Sequence, residues 1–105
     1  NISAAITIAN YFKVEDIAIK TGIEQYTPTN NRSQIITKDN TKIILDAYNA
    51  NPSSMQAALQ NFEKLEDKIK IAILGDMFEL GSESKKEHQD IVNLTAIMPL
   101  DKVIY

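Results

Sequence analysis

Apolar residues recur every three or four positions in the first quarter of the chain. In residues 1–12 the repeat is alanine-rich, which favours a helix, and it runs through Ile2, Ala5, Ile6 and Ala9. A second repeat covers residues 14–23, and its first turn carries two acidic side chains, where the helix dipole favours negative charge. The pattern predicts two consecutive helices at the start of the chain.

The period of the pattern changes after residue 26. Residues 27–32 are rich in turn formers and are the best candidate for a linker. Residues 33–37 are then typical of a short strand, residues 38–40 of a hairpin turn, and residues 42–48 of a longer β-rich run. The sequence therefore predicts a separate β-containing domain after the linker.

From residue 42 onward, strands and helices alternate with short connections. The β-rich run at 42–48 is followed by apolar strands at 70–74 and 102–105, and helical repeats lie between the three. Capping boxes at Ser53 (S-x-x-Q) and Ser84 (S-x-x-E) predict where these helices begin. The β-α-β-α-β order predicts an α/β fold, with a Rossmann-like, mostly parallel sheet preceded by the two helices.

Composition narrows the class of protein. The 105 residues are 44% hydrophobic and 24% charged, which is typical of one globular domain with at most an appendage. There is no cysteine, so disulfides, cysteine-based zinc sites and thiol nucleophiles are excluded. No apolar run reaches the roughly 18 residues of a membrane helix, and no signal-peptide pattern opens the chain. We expect a soluble cytoplasmic protein.

The net charge of −3 argues against a surface that coats nucleic acid. Residues 7–22 superficially resemble a helix-turn-helix, but the second helix would carry Glu15 and Asp16 and a single base, Lys20. Because a phosphate-binding helix should not be acidic, DNA binding is a distant alternative.

Candidate chemistry lies where ligands bind in open parallel sheets, beyond the carboxyl ends of the strands. Asp46 opens the loop at 46–52 and Asp76 lies in the loop at 75–81. Each carboxylate could cap a helix or turn the chain, or it could bind a ribose hydroxyl, an ammonium group or a metal through water. The first loop also carries a phenol and two amides suited to the edges of a nucleotide, or to an Asx-turn network: Tyr48, Asn49 and Asn51.

Other residue patterns are less informative. Neither loop contains a dinucleotide-binding or phosphate-loop motif, so no self-contained nucleotide site is expected. The single histidine, His88, falls on the buried side of its helix or at the margin, where a structural hydrogen bond is more common than catalysis. A non-enzymatic α/β binding or receiver-like regulatory module is the alternative to an enzyme, although such a module would cluster its acidic residues.

Two strings make the sequence recognisable. ILDAYNANPSSM at 44–55 and GDMFELG at 75–81, with His88 downstream, closely resemble motifs of the Mur ligases, in particular of members that add D-alanyl-D-alanine. NISAA at 1–5 resembles the N-x-x-A-A helix that ends the central domain of the family. NRSQ at 31–34 resembles the G-R-x-Q motif that opens the carboxyl-terminal domain, with Asn31 in place of the family's glycine. The resemblance covers essentially the whole chain.

The resemblance implies an ATP-dependent amide ligase of peptidoglycan, and hence cell-wall, synthesis. ATP would phosphorylate the carboxylate of UDP-N-acetylmuramoyl-tripeptide, and the amine of D-alanyl-D-alanine would attack the acyl phosphate. The phosphate loop, the modified lysine and the metal-binding residues of the family have no counterpart here, so ATP and Mg²⁺ would be held mainly by missing domains. We expect no metal ligands within this chain.

The resemblance also implies roles for individual residues. Asn1 resembles the asparagine that contacts adenine, and Arg32 the arginine that reaches the nucleotide from the linker. Asp46 resembles the strand-end aspartate on the ribose or phosphate side of the nucleotide, and three further residues would line the same wall: Tyr48, Asn49 and Asn51.

The loop at 75–81 would face the reacting centre and the incoming dipeptide. Asp76 and Glu79 are therefore candidates for substrate binding, and Asp76 is the one candidate contributor to catalysis within the chain. His88 matches the family without an implied role.

The same resemblance implies a division of the chain. Residues 1–26 would be the helical end of the central ATPase domain, residues 27–32 the linker, and residues 33–105 an incomplete carboxyl-terminal domain. On this interpretation the chain is a fragment and is inactive alone.

Overall fold

The computed structural model describes residues 2–105, which form four α-helices, four strands and one 3₁₀ turn. The helices are α1 (Ile2–Tyr11), α2 (Asp16–Glu24), α3 (Pro52–Glu63) and α4 (Ser84–Ala96). The strands are β1 (Gln34–Lys38), β2 (Thr41–Leu45), β3 (Ile71–Ile73) and β4 (Lys102–Ile104). The predicted α/β class and the order of elements are confirmed. Among these residues no helix combines the length and the apolarity needed to cross a bilayer.

By its internal contacts the chain divides into two units, Asn1–Ile44 and Leu45–Tyr105. In the first unit α1 packs against α2, and neither helix contains a buried side chain. The backbone N–H of Val14 donates to the carbonyl of Ala9 at 3.0 Å and so turns the chain between the two helices. The domain division at residues 26 and 33 stays a prediction.

β1 and β2 pair with each other, so the predicted hairpin is confirmed. β2 ends at Leu45, however, so the predicted continuation to Tyr48 is wrong. The two-residue connection explains the pairing, because Asp39 adopts a left-handed φ of 52° that aspartate tolerates in tight turns. The predicted three-stranded parallel sheet is therefore observed for its last two strands only.

β3 and β4 form the parallel sheet of the second unit, with Ala72 opposite Val103. A reciprocal pair aligns the strand starts: the N–H of Lys70 donates to Asp101 Oδ2 at 2.7 Å, and the N–H of Asp101 donates to the Lys70 carbonyl at 2.9 Å. Successive strand residues point to opposite faces, so Ala72 is buried whereas Ile71 is exposed.

The core of the second unit lies between this sheet and the helices. Its buried side chains come from both helices, the sheet and the loops: Leu59, Ala72, Met77, Ile91 and Met98. The ends of the unit are held by hydrogen bonds. Lys70 Nζ donates to the carbonyl of Glu63 at 2.8 Å near the end of α3, and the hydroxyls of Thr95 and Tyr105 lie 2.6 Å apart. This packing fixes the loop that contains Met77 relative to α4.

Neither α3 nor α4 is capped as the sequence predicts. α3 starts at Pro52, so its N-cap is Asn51, which forms a capping box with Ser54; the predicted box at Ser53 is wrong. Proline is favoured in the first helical position because it has no N–H to satisfy, and this places the cap at Asn51, two residues before Ser53.

At the second predicted box, the 3₁₀ turn Gly81–Glu83 leads directly into α4. Ser84 is already helical, and the N-cap Glu83 makes no side-chain capping bond, so the predicted box at Ser84 is also wrong. The residue directly before α4 is therefore the last residue of the 3₁₀ turn, and its side chain does not cap the helix.

The Asn51 cap gives a first testable prediction. Asn51→Ala removes the acceptor for the Ser54 N–H and should lower the free energy of unfolding by about 1 kcal/mol. Asn51→Asp retains a side-chain oxygen and should leave stability within about 0.5 kcal/mol of the wild type. Urea unfolding followed by circular dichroism measures both; equal losses in the two variants would contradict the assigned cap.

Candidate functional site

The first predicted loop connects β2 to α3. We call residues 46–51 the Asp46 loop. Asp46, Tyr48 and Asn49 are exposed, and 64% of Tyr48 is accessible to solvent. A carboxylate, a phenol and an amide thus stand at the surface directly after a strand, and this set of donors and acceptors suits ribose hydroxyls and base edges.

Asn51 is the last residue of the Asp46 loop and caps the N-terminus of α3. Its Oδ1 accepts hydrogen bonds from the Ser54 N–H at 2.9 Å and from the Ser53 hydroxyl at 2.8 Å. Its own backbone N–H donates to Ser54 Oγ at 3.2 Å. Of the two roles that the sequence suggested for this amide, the structure shows the Asx-type hydrogen-bond network. The role of Asn51 in binding a nucleotide stays a prediction.

The second predicted loop follows β3. We call residues 75–81 the Met77 loop. Met77 is 4% exposed and packs into the core, whereas the side chain of Asp76 is 81% exposed and Phe78 is 76% exposed. Burying one apolar side chain in the middle of the loop directs its neighbours outward, so the Met77 loop presents Asp76, Phe78 and Glu79 at the surface.

Two left-handed residues shape the second half of the Met77 loop. Glu79 has φ = 62° and Gly81 has φ = 55°. The conformation at Gly81 costs little because glycine has no Cβ, but at Glu79 it costs about 1–2 kcal/mol. Strain of this kind is commonest at binding and catalytic sites, which is consistent with the predicted role of Glu79.

His88 of α4 joins the Met77 loop to the helix. Its Nε2 lies 3.0 Å from the backbone nitrogen of Met77, its Nδ1 lies 2.7 Å from the Ser84 carbonyl, and Asp76 Oδ1 lies 3.8 Å from Nε2. The structure therefore brings together one predicted site residue, Asp76, and the histidine for which the sequence implied no role. Sequence spacing could not reveal the bond to Met77, since it joins a loop to a helix.

Arg32 belongs to the first unit, in the turn before β1. The preceding Asn31 adopts φ = 57°, and its backbone N–H donates to Gln34 Oε1 at 3.3 Å. Asparagine is enriched in the left-handed region, so Asn31 supports a backbone shape that glycine would also adopt. Asn31, which departs from the G-R-x-Q pattern, thus forms a left-handed turn before Arg32.

Asn1 lies outside the described residues, so its predicted contact with adenine stays a prediction. Within residues 2–105 no group of three or more histidine and acidic side chains is arranged to hold a metal ion.

A family model matches most of the chain. The model of the domain described as "Mur ligase, glutamate ligase domain" matches residues 31–105. The UDP-N-acetylmuramoyl-tripeptide–D-alanyl-D-alanine ligase of Bacillus subtilis (strain 168) is 36% identical over 105 residues, which cover 98% of this chain and 23% of that protein.

Solved structures agree with this match. A crystal structure of MurF from Acinetobacter baumannii superposes with a TM-score of 0.85 at 37% identity, over 97% of this chain and 22% of that one. The fold is also that of the MurF ligase of Thermotoga maritima in complex with ADP, with a TM-score of 0.77 at 23% identity over 93% of this chain. The chain spans about a fifth of the length of these relatives. Because the family model covers well over half of its residues, the chain belongs to the Mur ligase family.

Proposed function

We propose that the chain supplies carboxyl-terminal-domain residues to a cytoplasmic, ATP-dependent amide ligase, which adds D-alanyl-D-alanine to UDP-N-acetylmuramoyl-tripeptide in peptidoglycan synthesis. The observation that carries the proposal is the 36% identity, along 98% of the chain, to a ligase named for these two substrates. The chain corresponds to only 23% of that ligase. This supports a ligase in which other domains bind most of the reactants.

The proposed reaction has two steps. The terminal phosphoryl group of ATP moves to an oxygen of the tripeptide carboxylate and gives an acyl phosphate and ADP. The amine nitrogen of D-alanyl-D-alanine then bonds to the acyl carbon and loses a proton, and inorganic phosphate leaves as the carbon–oxygen bond breaks. Such chemistry depends on positioning and on neutralising charge, so surface loops that orient the reactants can control its rate.

In this proposal the Asp46 loop contacts the nucleotide. A carboxylate that follows a strand can accept hydrogen bonds from ribose hydroxyls, and Tyr48 and Asn49 are exposed beside it. The presence of ADP in the Thermotoga maritima ligase, whose fold is shared, supports nucleotide use. Arg32 offers a guanidinium suited to phosphate oxygens, and Asn1 is the proposed contact of adenine.

The Met77 loop contacts the dipeptide in this proposal. Asp76 and Glu79 expose two carboxylates within four residues of each other, and D-alanyl-D-alanine carries an ammonium group that carboxylates attract. Since the described residues provide no cluster able to hold a metal, no step of the reaction is assigned to Mg²⁺ bound by this chain.

Inorganic phosphate release tests the proposal. The full-length ligase that contains this sequence should release phosphate only when ATP, UDP-N-acetylmuramoyl-tripeptide and D-alanyl-D-alanine are all present. The isolated 105-residue chain should release none above background, because it lacks a phosphate loop. Omitting each substrate in turn is the control. Turnover by the isolated chain, or a full-length enzyme indifferent to D-alanyl-D-alanine, would overturn the proposal.

A further inference from the structure

The protonation state of His88 follows from its two neighbours. Nε2 lies 3.0 Å from the backbone N–H of Met77, which can only donate, and Nδ1 lies 2.7 Å from the carbonyl oxygen of Ser84, which can only accept. Both hydrogen bonds form only if Nδ1 carries the proton and Nε2 does not. The geometry thus selects the neutral imidazole with its proton on Nδ1.

Met77 is the residue through which the Met77 loop is fastened to the domain. Its side chain is buried in the core, and its backbone N–H is bound by a side chain from α4. The residues on both sides of it are exposed, including Asp76 and Glu79. The bond from His88 therefore fixes the backbone between the two carboxylates that the loop presents.

We propose that His88 is a positioning residue of the ligase. Its neutral imidazole clamps the backbone amide of Met77 and so holds Asp76 and Glu79 where they bind the ammonium group of the incoming dipeptide. The dipeptide in this inference rests on the proposed function, whereas the clamp on the Met77 loop rests on the geometry alone.

Protonation of the imidazole should release the clamp. A proton on Nε2 would point at the N–H of Met77, whereas Asp76 Oδ1, 3.8 Å from Nε2, could accept it. The other charged residues on the elements packed beside α4 are also acidic: Glu79 in the Met77 loop, Glu83 in the 3₁₀ turn and Glu63 in α3. On α4 itself Lys85, Lys86, Glu87 and Asp90 carry charge. Protonation thus exchanges a bond to the backbone for an ion pair with Asp76.

Variants of the full-length ligase test the positioning role. His88→Leu removes the acceptor and should raise KM for D-alanyl-D-alanine about fivefold, while KM for ATP stays within about twofold. His88→Gln keeps a side-chain oxygen that can accept from Met77 and should recover most of the loss. Gln89→Leu, at the neighbouring exposed position, is the matched control and should resemble the wild type. A His88→Leu enzyme with normal KM for the dipeptide, or a His88→Gln enzyme equally impaired, would overturn the role.

Nuclear magnetic resonance tests the clamp without any substrate. The 105-residue chain contains one histidine and three methionines, so His88 and the amides of Met55, Met77 and Met98 can be followed by selective labelling. As the pH is lowered, the Met77 amide resonance should change with the same midpoint as the His88 ring, and the other two amides should not follow it. A Met77 amide that ignores the titration of His88 overturns the clamp. Failure of D-alanyl-D-alanine ligation alone overturns only the proposed function.

Discussion

Alanine in place of Asp46 is expected to raise KM for ATP about tenfold or more in the full-length ligase, because a hydrogen bond to a charged acceptor is worth about 1.5–3 kcal/mol. Asp76→Ala should change KM for ATP by no more than about twofold, because in the proposal its loop contacts the dipeptide. Both residues are exposed aspartates that follow strands, so the two substitutions remove the same chemical group.

Steady-state kinetics with ATP and D-alanyl-D-alanine varied in turn separates the two loops. Asp76→Ala should raise KM for the dipeptide, and Asp46→Ala should leave it nearly unchanged. Asp46→Asn keeps an acceptor oxygen without the charge, so it distinguishes a hydrogen bond to ribose from an interaction that needs the charge itself. Equal effects of Asp46→Ala and Asp76→Ala on KM for ATP would contradict the assignment of the loops.

Met77→Ala is expected to lower the free energy of unfolding by about 3 kcal/mol, since truncating a buried methionine loses apolar burial and leaves a cavity. This is a large share of the stability of a small domain, which is typically about 5–15 kcal/mol. Among residues 2–105, Met77 is one of five buried hydrophobic residues that form the core, so its truncation removes a substantial part of that core.

The adjacent phenylalanine is the matched control. Phe78 is larger than Met77 but 76% exposed, so Phe78→Ala should change the free energy of unfolding by no more than about 0.5 kcal/mol. Met77→Leu, which conserves volume, should cost less than about 1.5 kcal/mol. Urea denaturation of the 105-residue chain measures all three. A Phe78→Ala loss as large as that of Met77→Ala would show that the loop is anchored by a different side chain.

Local pattern was enough to predict most elements of the fold. The helical repeats located α1 through α4, and the apolar runs located β3 and β4 to within one residue at each end. These predictions succeed because a helix or a strand is stabilised by the spacing of its own apolar residues, which the sequence displays directly. The family, too, was recognisable from the strings around Asp46 and Asp76, and the match to residues 31–105 confirms it.

The predictions that failed concern which of two nearby residues caps a helix and which strands pair in a sheet. Ser53 and Asn51 are both good capping residues, and the proline at position 52 decided between them by fixing where α3 begins. β2 was expected both to pair with β1 in the hairpin and to begin the parallel sheet, and only the hairpin is observed. The apolar pattern of a strand shows which of its residues can be buried, but it does not specify which other strand forms hydrogen bonds with it.

The sequence alone determined the α/β class, the order of the elements, the family and the candidate residues of the two loops. Only the tertiary structure decided that Met77 enters the core, that its amide meets Nε2 of His88, and that Asp76 and Phe78 are consequently turned outward. The physical reason is that periodicity within one segment encodes local structure, whereas a hydrogen bond between a loop and a helix depends on how separate segments pack.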